Sequence, residues 1–309
     1  MTHTAPARSA STPNAELSGW LKLREAADAA ARSTALTELT AATLRARGSG
    51  PAQLLDLGTG AGSNLRYLIP RLPPRQRWLV VDRGADLLAD LLARTAPWAA
   101  ARGLSAEVTG DRLVIAGHGL DCVVETRQLD LGPLDDPSIF DGRHLVTASA
   151  LLDLVSPAWL RTVAEHCRQQ RASALFTITY NGRNGCEPAD ADDARVFALF
   201  NQHQGRDKGL GGPAAGPGAT DAARTAFEAA GFTVRTEPSD WAIAADAGEM
   251  QRYLIEGWAS AAREAGPDDA AAIDAWRARR LALVDAGGSR LTVGHFDLLA
   301  SRQPPGGDG

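Results

Sequence analysis

The stretch Asp56-Leu57-Gly58-Thr59-Gly60-Ala61-Gly62-Ser63-Asn64 decides the fold. It closes a short apolar run at residues 53–57, which suits a buried strand, and it opens a helix running from near Ser63 to about residue 69. Glycines in such a turn let the backbone bend tightly and approach a ligand without a Cβ clash. The spacing is G-x-G-x-G. A dinucleotide fingerprint needs G-x-G-x-x-G with a pyrophosphate on the helix N-terminus. Ser63 stands where that pattern wants glycine or alanine, and Asp56 is foreign to it. Taken alone, the stretch is either a nucleotide-binding loop or a tight turn.

The surroundings give it a frame. Upstream, residues 20–47 carry no Gly or Pro and read as one helical stretch. Downstream, residues 78–81 form a second buried strand, followed by a helix at 85–102 with Leu87, Leu88, Leu91 and Leu92. Three β-like runs within 106–130, separated by turn signals, read as a hairpin feeding the third sheet strand. Strand four is expected at 144–148, a helix at 157–170 and strand five at 174–180. Residues 181–218 then read as a long Gly- and Pro-rich loop with a helical piece at 194–201. Thr220 is expected to cap a helix reaching Ala230, before strand six at 232–236. Two amphipathic helices at 249–264 and 268–285 precede the last strand at 291–300. Strands alternating with helices predict a doubly wound α/β sheet, with ligands bound outside the carboxyl ends of its strands.

Composition narrows the partners. The formal net charge of −5, with no sustained basic run, argues against nucleic acid. Cys122, Cys167 and Cys186 are too few and too scattered for a disulfide framework or a zinc site, and no metal is expected. Residues 1–14 lack the apolar core of a signal peptide, and no apolar run reaches membrane-spanning length. A cytoplasmic protein is therefore expected, with tails at 1–14 and 303–309, a helical cap at 15–48 and one domain at 49–302. Oligomeric state leaves no signal.

From about residue 54 to 300 the chain resembles the class I S-adenosylmethionine-dependent methyltransferases, whose first motif is an acid followed by G-x-G-x-G. The resemblance implies a Rossmann-like sheet, mostly parallel, with its last strand antiparallel and a helical insertion before it. It implies that Gly58, Thr59, Gly60 and Gly62 cradle the methionine moiety of S-adenosylmethionine, within a stretch that ends at Asn64, and that Asp56 orders the loop. A carboxylate ending strand two can accept both hydrogens of a ribose diol, or simply start a solvated turn. The resemblance favours Asp82 as the ribose ligand, with Arg83 lining the adenine pocket. At the end of strand three, a carboxylate beside a backbone N–H matches the adenine edge. That points to Asp130 and Leu131, with Asp135 or Asp136 as rivals. After strand four the backbone at Ala148 and Ser149 meets the cofactor ammonium. The [Asp/Asn]-Pro-Pro-aromatic run of many amino-methylating enzymes is absent there, which fits a small-molecule acceptor. Asp153 reads equally as a helix-start acid or a functional one.

The acceptor side rests on the polar residues after strand five. Tyr180, Asn181, Arg183 and Asn201 are candidates. His203 is the nominated general base because imidazole titrates near neutral pH, against the alternative of an exposed histidine without chemistry. Asp207, four residues on, is expected to pair with it. Trp241 and the following helices are expected to close over the acceptor, although Trp258 and Trp276 suit plain packing better. Arg24 and Arg32 of the N-terminal helix are candidate cations for the cofactor carboxylate, against the default of surface arginine. The expectation is methyl transfer to an oxygen or nitrogen of a small molecule. A catalytically silent cofactor-binding scaffold and an NAD-dependent oxidoreductase are the alternatives. An aminopropyl transferase is disfavoured, because only Asp153 is available near strand four to hold an amine.

Overall fold

The computed structural model describes residues 13–302. The expected tails fall outside those residues, except that Pro13 already begins the first helix. In chain order the elements are α1 (Pro13–Ala31), α2 (Thr34–Arg45), β1 (Ala52–Leu57), α3 (Ser63–Leu68), β2 (Arg75–Asp82), α4 (Ala85–Ala100), β3 (Ser105–Thr109), β4 (Arg112–Gly117), β5 (Leu120–Gln128) and β6 (Leu145–Ser149). There follow α5 (Pro157–Gln170), β7 (Ser173–Glu187), α6 (Asp193–Gln204), α7 (Ala219–Ala229), β8 (Thr233–Pro238), β9 (Trp241–Ile243), α8 (Gly248–Ala265), α9 (Ala270–Asp285) and β10 (Arg290–Ser301).

The strands form one sheet in the order β3-β4-β5-β2-β1-β6-β7-β10-β8, with β9 paired to β10. The stretch β5-β2-β1-β6-β7 is parallel, and β10 runs antiparallel between β7 and β8. This is the expected architecture, including the hairpin that feeds β5. Strand order reverses around β1, which lies between β2 and β6, so the crevice for a ligand opens at the carboxyl end of β1. Central strands covered on both faces must be apolar on both. Leu54, Leu55 and Leu57 of β1 are accordingly all fully buried. Leu55 and Leu57 pack with Trp159 and Phe227 of α5 and α7. Leu54 packs with Leu36, Leu65 and Leu91 on the other face. A third cluster joins α6, α8 and α9, where Trp258 and Trp276 meet Phe197 edge-on.

Three expectations are corrected. The N-terminal stretch is two helices, because the Ser33 side chain accepts the Leu36 N–H at 3.1 Å and its own N–H reaches the buried Asp297 carboxylate at 2.8 Å. A cap plus a tertiary partner outweighs the helix propensity of the flanking alanines and leucines. Strand five does not end at Tyr180. Its partner β10 carries the ladder on to Arg290↔Glu187, so Asn181 and Arg183 lie on β7 and not in a loop. Thr220 lies inside α7, whose N-cap position is Gly218.

Helix α1 is held over the crevice by contacts outside the helix itself. Glu25 accepts two hydrogen bonds from Arg66 of α3, at 2.8 and 2.6 Å. Asp28 accepts the Trp241 indole N–H at 3.1 Å, and Trp20 stacks on Tyr253 at 4.2 Å between ring centres. The Arg66 side chain is 4% exposed, so losing Glu25 leaves a buried charge without its carboxylate. Glu25→Ala is expected to cost about 1–3 kcal/mol, less than a fully buried pair because Glu25 is itself partly solvated. Hydrogen exchange should quicken across α1 while β1 and β2 keep wild-type protection.

Candidate functional site

At the carboxyl ends of the parallel strands lies a cleft of about 700 Å³. Gly58, Gly60, Asp82, Arg83, Asp130, Leu131 and Ser149 line it, so the ends of β1, β2, β5 and β6 meet in one cavity. The glycine turn needs its glycines. Gly60 has φ +53°, and a Cβ there would sit 3.0 Å from Leu21 of α1. At Gly62 φ is +85°, and a Cβ would come within 2.7 Å of Leu91.

Behind this wall a buried polar chain fixes the turn. Asp56 accepts the Thr59 hydroxyl at 2.6 Å and the Asn64 amide at 2.7 Å. Asn64 in turn accepts from Arg32 at 2.7 Å, and Arg32 donates to the Ser149 hydroxyl at 2.9 Å. Burial pushes the Asp56 carboxyl up to about 6, against the pull of its two hydrogen bonds and of Arg32. Asp56, Thr59, Gly62, Asn64 and Ala148 thus support the cleft from behind and do not line it. Arg32 belongs to this buried chain, whereas Arg24 reaches the cleft itself.

Asp82 is nearly buried and ties β2 to the turn, accepting the Gly60 and Gly84 N–H groups at 2.9 Å each. Each carboxylate oxygen keeps a second acceptor direction for a ligand hydroxyl. Asp130 is exposed at the rim and accepts the Gly132 N–H at 2.9 Å. Its rivals are elsewhere: Asp136 pairs with Arg127 at 3.3 Å, and neither Asp135 nor Asp136 lines the cleft. Among the described residues no cluster of three or more His, Cys, Asp or Glu is placed to hold a metal ion.

The acceptor candidates scatter. His203 faces Glu264 of α8 at 3.1 Å, outside the cleft lining, and Arg206 binds the same carboxylate at 3.1 Å. Asp207 does not pair with His203. Its carboxylate accepts the Gly209 N–H at 2.7 Å, because the chain turns out of α6 at Gly205 before one helical turn can join the two. Arg183 forms an exposed ion pair with Asp240, and the Asn181 side chain accepts the Arg183 N–H. Trp241 is buried against α1, tilted on His295, whose imidazole burial pushes down to about 3. Tyr180 donates to Asn201 at 2.6 Å and accepts from Asn184 at 2.5 Å.

Other residues occupy the place these were expected to take. Leu17 and Leu21 of α1, Leu151 and Leu154 after β6, and Lys208 and Leu210 after α6 also line the cleft. Asp153 sits half-buried between Leu151 and Leu154 and accepts the Tyr180 N–H. Burial raises its carboxyl to about 6, against the fields of Arg24 and Lys208. No period in the sequence marks these residues. The one signal is that Lys208 is one of only two lysines in the chain, with Lys22.

No known family model matches the sequence, and no curated protein does. Among solved structures the chain is similar to the cyclopropane synthase MmaA2 from Mycobacterium tuberculosis, at 13% identity over 86% of this chain and 83% of that one, with a TM-score of 0.41. It is similar to a putative sarcosine dimethylglycine methyltransferase from Galdieria sulphuraria, at 12% identity over 86% and 85%, TM-score 0.40. It is also similar to a geranyl diphosphate methyltransferase, at 13% identity over 87% and 85%, TM-score 0.40. At these scores nothing about the cleft is carried over from them.

The Asp56 carboxyl sets a pH signature. Raised in the folded state from 3.8 to about 6, it holds its proton more tightly there than in the unfolded chain. Its contribution to stability is therefore full below pH 4 and is lost as pH rises through 6. That span is worth about 3 kcal/mol at roughly 1.4 kcal/mol per pH unit. Asp56→Asn should fold, and the stability difference between wild type and variant should move by about this amount in the variant's favour between pH 4 and 7. Urea unfolding across that range measures it.

Proposed function

We propose that this protein is an S-adenosylmethionine-dependent methyltransferase acting on a small-molecule acceptor. The observation that carries the reading is the meeting of Gly58, Gly60, Asp82 and Asp130 in one cleft at the topological switch point. The donor set suits this cofactor. Asp82 offers carboxylate lone pairs to a ribose diol, Asp130 an acceptor to the adenine amino group, and Gly58 and Gly60 bring bare backbone to the cleft wall. The cofactor when bound supplies an activated sulfonium methyl group. The chain's own task is to orient the acceptor in line with it and to exclude water. Leu17 and Leu21 of α1 cover the cleft for that purpose.

Where the acceptor must lose a proton, Asp153 replaces His203 as the proposed base. It lies beside the cleft wall, whereas His203 is bound to Glu264 outside it. With its carboxyl near 6, Asp153 is ionised at neutral pH yet basic enough to take a proton.

The oxidoreductase reading is disfavoured by the same geometry. A pyrophosphate needs free N–H donors at the start of a helix. Here the Gly60 N–H of the turn is taken by the Asp82 carboxylate, the Gly62 N–H at the start of α3 by the Thr59 carbonyl, and α3 is only six residues long. Isothermal titration decides between the two readings. S-adenosylhomocysteine should bind one to one and NAD should show no heat. Asp82→Asn should weaken the former about 10- to 100-fold, the loss of one charge-assisted contact. Binding of NAD in place of S-adenosylhomocysteine overturns the proposal. With a turned-over acceptor, kcat/KM should rise through about pH 6 as Asp153 ionises, and Asp153→Asn should remove that limb.

A further inference from the structure

Three cations line the cleft: Arg24, Arg83 and Lys208. Arg24 is committed to the protein, 3.5 Å from the Asp28 carboxylate and 5.9 Å from the centre of the Trp241 ring. Arg83 is exposed to solvent beside Asp82. Lys208 differs from both. It is half-buried, and its ammonium makes no hydrogen bond or ion pair among the described residues. Burial and the nearby Arg206 charge push its pKa down, and Glu264 and Asp153 oppose them only through their fields.

The segment that presents it is firmly held. Asp207 caps the turn through the Gly209 N–H, the Ser156 N–H donates to the Leu210 carbonyl at 3.0 Å, and the Ala215 N–H donates to the Val155 carbonyl at 2.8 Å. On the other side the Gly209 carbonyl lies so close to Gly132 that a Cβ there would meet it at 2.5 Å. A partly desolvated ammonium without a partner is unfavourable, and a free lysine chain ordinarily reaches for water. Here an anchored loop holds it at the cleft wall, beside the apolar side chains Leu151, Leu154 and Leu210.

We propose that Lys208 is the specificity residue of the acceptor site, and that it takes the anionic head, carboxylate or phosphate, of an acceptor whose apolar body lies on Leu151, Leu154 and Leu210. The assignment rests on the methyl-transfer reading for the word acceptor, but the anion site itself stands on the cleft alone. It leaves Asp82 and Asp130 to the cofactor and Asp153 to proton transfer.

The chain's two lysines make a direct test. Full-length protein labelled with 13C at lysine Cε gives one signal for Lys208 and one for Lys22, told apart by Lys22→Arg. S-adenosylhomocysteine is added first, and then hexanoate, hexyl phosphate or the neutral hexanamide. The Lys208 signal should move saturably with one or both anions and not with the amide, while the exposed Lys22 stays still. Lys208→Met should weaken anion binding at least tenfold by titration calorimetry, and Lys208→Arg should hold it within about threefold, the charge being kept. Movement with hexanoate alone identifies a carboxylate head, and with hexyl phosphate alone a phosphate. Equal binding of the amide, wild-type affinity in Lys208→Met, or no binding of either anion overturns the proposal. Failure of S-adenosylhomocysteine to bind while the anions still move Lys208 overturns the methyl-transfer reading and leaves the anion site standing.

Discussion

A buried carboxylate organises the whole cleft. Asp56 sits under the glycine turn with no access to water, and it is tolerable there because Thr59, Asn64 and, through Asn64, Arg32 converge on it. An ionised acid in such a place costs several kcal/mol unless hydrogen-bonded and paired. The groups that meet this need come from different parts of the chain. Thr59 and Asn64 belong to the turn and α3, Arg32 follows α1, and Ser149 at the end of β6 closes the path. Neutralising one acid therefore fixes the turn, docks the N-terminal helix pair and registers β6 against β1. The cleft is the space left in front of this chain.

Asp82 performs a second version of the same task one strand over. By accepting the Gly60 N–H it sets the turn's height above β2, and it keeps an acceptor direction toward the cleft. Asp82 takes the Gly60 N–H, and the Thr59 and Gly62 N–H groups donate to the Val81 and Thr59 carbonyls, so the turn is poor in free N–H donors. Such a loop suits a cofactor with a zwitterionic tail and a ribose better than one with a pyrophosphate.

How far the sequence reaches follows from the same physics. The central strands were legible because burial on both faces demands continuous apolar runs, and Asp82 because it directly ends such a run, whereas Asp130 follows the polar end of β5 and was singled out by the family resemblance. The length of β7 was not. Asn181-Gly182-Arg183-Asn184-Gly185 has the composition of a turn, and only its partner β10 makes it a strand. The break at Ser33 depended on Asp297, far away in sequence. His203 and Asp207 shared an expected helical turn that Gly205 ends, so each found another partner. Asp153 was legible only as an acid after strand four, and Lys208 became visible as a cleft group only when the loop after α6 was folded back against the turn that follows β6, a contact no local pattern encodes.

In the proposed function the ends of β1, β2 and β5 hold S-adenosylmethionine. A crystal structure of the full chain with S-adenosylhomocysteine tests it most directly. The ribose hydroxyls should lie on the Asp82 carboxylate, the adenine amino group should face Asp130, and the amino-acid portion should lie over Gly58 and Gly60 beneath α1. Density for the ligand anywhere else, or a ribose turned away from Asp82, would contradict it.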